Sequence, residues 1–230
     1  MATRKLLQEL IGRFESSSAS SQAVPVVLES VGGVDAAKRV RAGEAFDVVV
    51  LAKDAIADLI ATGGLLADGQ VDVVDSAVAV AVRSGTAHPD ISSVEALKRA
   101  VLDARTIGYS TGPSGVQLAK LFDAWGITEA LTGRITVAPP GIPVGTLVAR
   151  GDVALGFQQL SELVGVDGID VIGTLPPAVA ITTTFSGAVA RTATHADLAR
   201  ELLQFMGTPA VADVKRRHGM EPAERQVRPV

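Results

Sequence analysis

Two stretches of the sequence decide the fold, VDVVDSAVAVAV at residues 71–82 and VAITTTFSGAVA at residues 179–190. Both are rich in β-branched residues, which pack well in strands and are less comfortable in helices. Each stretch therefore predicts a long strand, and the second is the natural partner of the first. The pair predicts a two-strand hinge between two lobes, one formed by residues 80–181 and the other by residues 1–79 together with residues 182–230.

Short strand and helix patterns alternate along the rest of the chain, which indicates an α/β fold in which helices flank a mixed sheet in each lobe. Apolar runs predict further strands at residues 24–28, 46–51, 105–109, 135–138, 153–157 and 169–172. Periodic apolar residues predict helices at residues 6–14, 34–43, 55–61, 92–102, 116–125, 143–150, 158–163, 194–205 and 209–218. Ser92 is predicted to cap one of these helices, with Glu95 completing a capping box. A Ser/Ala-rich turn is predicted at residues 16–22, and the polar tail from Glu224 onward is predicted to fray.

Composition excludes several classes of function. The 230 residues carry a formal net charge of −4 without a basic stripe, so binding to nucleic acid is not expected. The chain contains no cysteine, which excludes disulfides, thiolate chemistry and zinc–sulfur sites. No apolar run approaches the length of a membrane span, so direct insertion into a membrane is not expected either.

One candidate binding element is the segment Tyr109–Gly115, where a predicted strand runs into a predicted helix. The hydroxyls of Ser110, Thr111 and Ser114 and the free N–H groups at the start of the helix suit an anion. Gly115 would let the backbone approach a ligand closely. A helix cap in a tight turn uses the same residue types, so that interpretation stays open.

A second turn, Glu29–Gly33, also follows a predicted strand and opens a predicted helix, and it offers Ser30, Gly32 and Gly33. Ligands of open α/β sheets lie at the carboxyl ends of strands, so two such turns, one in each lobe, predict a cleft that closes around a small anion. Gln158 ends another predicted strand and provides a donor and an acceptor. Two ordinary connecting loops are the competing interpretation.

No motif for catalysis, a metal or a cofactor accompanies these turns. His88, His195 and His218 are scattered, and none has a neighbour at metal-ligand spacing, so neither a metal nor a cofactor is predicted. Whether the protein is an enzyme stays open at this point. If it is one, Glu29 and the hydroxyls of the Ser110 turn are the candidates for handling protons.

The order of elements and several motifs resemble the type II periplasmic solute-binding proteins of ABC transporters, in their molybdate-binding-protein branch. The resemblance covers nearly the whole chain. It is carried by the helix Leu6–Phe14, the turn Glu29–Gly33 and the segments Gly43–Val49, Ile91–Leu97, Val148–Phe157 and Phe205–Pro222. It implies a two-lobed fold that binds a small anionic ligand, with an ABC permease as a partner. Family members contact the ligand through a serine that ends a strand before the first helix, and Thr3 is the nearest hydroxyl to that place.

The sequence departs from the molybdate binders in ways that point to organic acids. Val34 stands near the place of their second hydroxyl, and Phe157-Gln158 stands where a tyrosine often follows the late strand. The Phe-Gln-Gln and Pro-Pro motifs resemble a subgroup similar to aconitate isomerase. The resemblance thus implies either binding of an oxyanion or small carboxylate for transport, or isomerisation of an unsaturated carboxylic acid.

The compartment depends on an export signal. The resemblance implies the periplasm if such a signal is missing from this sequence, and the cytoplasm otherwise. A cytoplasmic ligand sensor that acts through a partner is therefore a third interpretation.

Overall fold

The chain divides into two units. The structure, a computed structural model, describes residues 2–17, 24–139 and 141–223. Unit 1 comprises Met1–Asp75 and Thr184–Val230, and unit 2 comprises Ser76–Thr183. Residues 18–22 of the turn predicted at residues 16–22, and the tail from Glu224 onward, lie outside the described residues.

Strands and helices alternate through most of the chain, as the sequence predicts. The strands are β1 (Val48–Ala52), β2 (Val71–Arg83), β3 (Ile107–Ser110), β4 (Ile135–Ala138), β5 (Leu155–Gln159), β6 (Ile169–Thr174), β7 (Thr182–Val189) and β8 (Glu221–Pro222). The helices are α1 (Arg4–Ser16), α2 (Gly33–Arg41), α3 (Lys53–Ala61), α4 (Val94–Asp103), α5 (Pro113–Ala124), α6 (Val144–Arg150), α7 (Leu160–Leu163), α8 (Ala196–Met206) and α9 (Ala212–Arg217). The two long predicted strands are present as β2 and β7, and the chain passes from one unit to the other within each of them.

Unit 2 is a mixed sheet with helices on both faces. β3 pairs in parallel with β4 and β5, whereas β2 pairs antiparallel with β5 and β6. The side chains of β2 alternate between the two faces of the sheet. Val78 and Val80 pack with Phe157 against α4 and α5, whereas Ala79 and Ala81 pack against α7. Large side chains thus fill one face, and small ones let helices approach the other.

A glycine in β5 allows an equally close approach by α6. A Cβ added at Gly156 would lie 2.4 Å from a methyl carbon of Val148 in that helix. The strand backbone and the helix side chain therefore pack directly against each other, which fixes α6 over the sheet.

Unit 1 is also layered. β1 pairs antiparallel with β7, and β8 pairs antiparallel with β2. One face of these strands packs against α1, α8 and α9, and the other against α2 and α3. The predicted apolar face of α1 is confirmed, because all its members are buried. They are Leu6, Leu7, Leu10, Ile11 and Phe14.

The strand predicted at residues 24–28 is wrong, because residues 24–32 have no regular secondary structure. Val26 and Leu28 pack against the α1 layer while Val27 is 84% exposed, which is the alternation of a strand. The backbone N–H of Val26, however, donates to the carboxylate of Glu15 at 2.9 Å instead of to a neighbouring strand. The segment is therefore not a strand of the unit 1 sheet.

The predicted cap of α4 is off by one residue. Ser93, not Ser92, is the N-cap, and its Oγ accepts a hydrogen bond from the N–H of Ala96 at 3.1 Å. The N–H of Ser92 instead donates to the carboxylate of Asp90 at 2.9 Å. The sequence contains two adjacent serines, and only the direction of the incoming chain selects between them.

Candidate functional site

The carboxyl ends of three parallel strands meet at one edge of the unit 2 sheet. The ends of β3 and β4 are in register, with Ser110 opposite Ala138. β5 runs parallel to β3 and ends at Gln159. Helices α5, α6 and α7 begin just beyond these ends. Because open α/β sheets bind ligands at this edge, we refer to residues 110–115 and 158–162 as the carboxyl-edge site.

The turn from β3 into α5 presents hydroxyls that have no partner in the part of the chain that the structure describes. The side chains of Ser110, Thr111 and Ser114 make no hydrogen bond to any other part of the described chain. The N-cap of α5 is Gly112, which has no side chain to cap the helix, and the first turn contains no acidic residue. The free N–H groups and the positive end of the helix dipole are therefore left for an external anion.

Gly115 has a structural task in this turn. A Cβ added at residue 115 would lie 1.7 Å from the backbone carbonyl oxygen of Ser110. The first turn of α5 therefore folds back onto the end of β3 through backbone contact alone. Glycine at residue 115 therefore allows the tight turn that carries the hydroxyls.

The end of β5 places two buried amides at the same edge. Gln158 and Gln159 are each 4% exposed. The Oε1 atom of Gln158 accepts a hydrogen bond from the N–H of Gly145, in the first turn of α6, at 3.4 Å. The Oε1 atom of Gln159 has no partner in the described chain, although a buried carbonyl without a donor costs about 1–3 kcal/mol. This acceptor is therefore unused within the described chain and is shielded from solvent.

Glu162 adds a titratable group that the sequence reasoning missed. It lies in the first turn of α7, three residues after Gln159, and burial raises the pKa of its carboxyl. A carboxyl within one helical turn of a strand end is a pattern that could have identified this candidate from the sequence. Its burial is not visible in the sequence, because it depends on how α7 packs.

The turn predicted in unit 1 is less suited to an anion by itself. It leads into α2 through Gly32, which makes no side-chain cap, and Ser30 is half-buried beside it. Asp35 occupies the first turn of α2, so a carboxylate already complements the dipole there. A Cβ added at Gly32 or Gly33 would meet nothing closer than 3.7 Å, so packing alone does not require glycine at either position.

Two further candidates, Thr3 and Glu29, lie in unit 1. Thr3 is 7% exposed and stands at the N-cap of α1, but its side chain makes no cap bond. Glu29 accepts a hydrogen bond from the guanidinium of Arg39 at 2.7 Å, and Arg39 also pairs with Glu44. The carboxylate of Glu29 is thus committed to an ion pair, which weakens the case for it as a base.

The histidines are paired with carboxylates in three separate places. His88 contacts Asp170 at 3.1 Å, and His218 contacts Glu9 at 2.9 Å. His195 lies 3.7 Å from a carboxylate of its own unit. Within residues 2–17, 24–139 and 141–223, no three His, Cys, Asp or Glu side chains are grouped so that they could hold a metal ion.

Comparison with known proteins identifies the family. A family model described as bacterial extracellular solute-binding protein matches residues 1–221. The chain belongs to this family. The family and the α/β fold class predicted from the sequence are thereby confirmed.

This solute-binding protein is similar in sequence to an enzyme and in structure to two proteins named for the anions that they bind. The chain is 37% identical over 189 residues to an aconitate isomerase from Pseudomonas sp., covering 82% of this chain and 72% of that protein. Its structure superimposes on the periplasmic molybdate-binding protein of Azotobacter vinelandii with a TM-score of 0.75 and 18% identity, over 96% of each chain. The sulfate-binding protein SubI from Mycobacterium tuberculosis H37Rv gives the same score and identity, over 96% of this chain and 83% of that one. At such low identity the two solved structures establish a shared fold.

The described helices of this solute-binding protein do not have the properties of membrane spans. Throughout the described part of the chain, none combines the length and the apolar composition that a bilayer crossing requires.

Proposed function

We propose that this protein binds a small organic carboxylate and that the carboxyl-edge site of unit 2 holds one of its carboxylate groups. The observation that carries the proposal is the turn into α5, where three hydroxyls have no hydrogen-bond partner within the described chain and no acidic residue occupies the first helical turn. Hydroxyls and helical N–H groups are donors, and donors at a helix start stabilise a negative charge. Gln158, at the adjacent strand end, would orient the ligand.

An organic acid fits this edge better than an inorganic oxyanion does. Val116, in the first turn of α5, is 50% exposed and offers an apolar surface to a hydrocarbon segment. The identity of 37% to an aconitate isomerase supports the same class of ligand.

In this proposal Ser30, Gly32, Gly33 and Thr3 are the candidate ligand contacts of unit 1.

The binding proposal is tested by calorimetry and thermal shift with citrate, cis-aconitate, trans-aconitate, sulfate and molybdate. We expect an organic acid to raise the melting temperature and the two inorganic oxyanions to have little effect. Thr111→Val should weaken binding about tenfold, since a hydrogen bond to a charged group contributes about 1.5–3 kcal/mol. Thr132→Val, at an exposed threonine of the same unit, is the matched control. If no organic acid binds to the folded protein, the proposal fails.

Isomerisation of an unsaturated carboxylic acid is a second candidate function. Two observations favour it: the aconitate isomerase relative and a half-buried carboxyl, Glu162, at the carboxyl-edge site. Incubation with each aconitate isomer, followed by NMR, separates binding alone from catalysis. A melting shift with an unchanged ligand would leave the protein as a binding protein.

Transport is the role that the family suggests for such a binding protein. In that case it would act outside the cytoplasm and deliver its ligand to an ABC permease. Fractionation of the native host, with the protein detected by antibody, tests this location, and recovery in the cytoplasmic fraction alone would contradict it.

A further inference from the structure

Unit 1 has a cation at the carboxyl end of β1. Lys53 follows this strand directly and is the first residue of α3. The start of α2 lies at the same end of β1, because a Cβ added at Gly33 would lie 3.8 Å from a methyl carbon of Leu51. The basic residues of α2 itself are all in its last turn, at the opposite end of that helix. Lys53 is therefore the cation that these two helices place beside the unit 1 turn.

The ammonium group of Lys53 is anchored by residues of two adjacent strands, β2 and β7. Its Nζ atom donates to Oδ2 of Asp72 at 2.6 Å. The Oδ1 atom of the same carboxylate accepts from the hydroxyl of Ser186 at 2.6 Å, and Ser186 is fully buried. Ser186 lies opposite Leu51 in the pairing of β7 with β1, so the anchor stands next to the end of β1.

The anchor is ionised at neutral pH. Burial by itself would raise the pKa of the Asp72 carboxyl, but hydrogen bonds from Lys53 and Ser186 hold it below the ordinary value of 3.8. The carboxylate therefore keeps the ammonium group in one place over the whole neutral range.

The ammonium group also retains donors for a ligand. It has three N–H donors, and within the described part of the chain Asp72 takes one of them. The Lys53 side chain is 36% exposed, so the remaining donors can be reached from solvent. A free lysine side chain loses much rotamer freedom when it binds a ligand, and the bond to Asp72 has already removed part of that freedom.

We propose that Lys53 binds a carboxylate group of the organic acid as a residue of unit 1, positioned by Asp72 and Ser186, an inference that rests on the proposed binding of an organic carboxylate. The turn into α2 does not supply this charge, because Asp35 already occupies the first turn of that helix. Hydrogen bonds between an ammonium group and a carboxylate are stronger than those from neutral donors. Lys53 would therefore select ionised acids over neutral molecules of the same shape.

The test is the Kd of trans-aconitate for the full chain, measured by calorimetry. Lys53→Gln removes the charge and keeps a polar side chain, and we expect the Kd to rise about tenfold or more. Lys38→Gln makes the same change at an exposed position in the last turn of α2 and should leave the Kd unchanged.

The salt dependence of the Kd separates a contact with the ligand from a purely structural role. Salt screens exposed charge pairs, so raising the NaCl concentration from about 20 mM to about 300 mM should weaken binding more in the wild type than in Lys53→Gln. An equal salt dependence in both proteins would assign the loss to a change of structure and overturn the inference.

The outcomes also distinguish this inference from the proposed function. An unchanged Kd in Lys53→Gln overturns the role of Lys53 and leaves the binding of an organic acid intact. If that variant does not fold, adding Asp72→Asn removes both charges and leaves no unpaired carboxylate, and an unchanged Kd in the double variant overturns the role as well. Weaker binding in Lys53→Gln with unchanged binding in Thr111→Val would support Lys53 and overturn the carboxyl-edge site. A wild type that binds no organic acid removes both proposals.

Discussion

Gly115 and Ser110 are in backbone contact at the start of α5, so that a Cβ on residue 115 would lie 1.7 Å from the Ser110 carbonyl oxygen. The contact joins the end of β3 to the first turn of α5. The positions of the three hydroxyls of the turn therefore depend on the absence of a side chain at one residue.

Gly115→Ala should displace this turn. Since backbone rather than a flexible side chain must move, we expect a loss of about 1–3 kcal/mol in the free energy of unfolding, the usual effect of overpacking. We also expect loss of ligand binding. Gly12→Ala in α1 is the matched control, because a Cβ there meets nothing within 4 Å and alanine favours a helix. Urea denaturation of both variants checks the prediction, which equal stability of Gly115→Ala and wild type would contradict.

The two adjacent serines before α4 should differ in their contribution to stability, because only Ser93 caps the helix. Ser93→Ala removes the acceptor for the N–H of Ala96 and should cost about 1 kcal/mol of stability. Ser92→Ala leaves that cap in place and should cost less. Melting temperatures of the two variants decide the matter, and a larger loss in Ser92→Ala would mean that the cap lies where the sequence pattern put it.

Glu162 should make stability fall as the pH rises. Burial raises the pKa of its carboxyl, so the folded state holds the proton more tightly than the unfolded state does. The stabilisation is then complete below the ordinary pKa of 4.5 and is lost as the pH rises through the folded-state value. Glu162→Gln should remove this contribution.

This dependence is measured as the free energy of unfolding in urea between about pH 4 and pH 7, in wild type, Glu162→Gln and the control Glu129→Gln. The decline with pH should be smaller in Glu162→Gln than in the other two proteins. Identical profiles in all three would show that Glu162 titrates normally.

Asp170 should respond to the loss of His88. A hydrogen bond from the His88 ring, followed by one from Ser84, lowers the pKa of the Asp170 carboxyl below its ordinary value of 3.8. Stability from this pair is present above that value and is lost as the pH falls through the lowered pKa. In His88→Ala the pKa of Asp170 should rise toward 3.8, as measured by carbon-13 NMR of the carboxyl. His195→Ala, remote in sequence and in the other unit, should leave it unchanged, and an equal effect of both variants would contradict the assignment.

Local chemistry made part of the structure predictable from the sequence. The two long β-branched stretches became β2 and β7, because such residues lose too much side-chain freedom in a helix. The apolar spacing of α1 gave its buried face directly. The Ser110 turn fell where it was predicted, since a strand followed by Ser, Thr and Gly before a helical pattern indicates a helix start.

Pairing and burial, by contrast, were decided by tertiary structure. Residues 24–28 have the pattern of a strand, but a strand also needs a hydrogen-bonded neighbour, and Glu15 takes the N–H of Val26 instead. The burial of Glu162 and the unused acceptor of Gln159 depend on how α7 and β5 pack together. The sequence by itself determined most of the strands and helices, and the position of the Ser110 turn at the start of α5, because those properties are set by near neighbours. Only the tertiary structure decided which carboxyl is withdrawn from water, because solvent is excluded by residues that are distant along the chain.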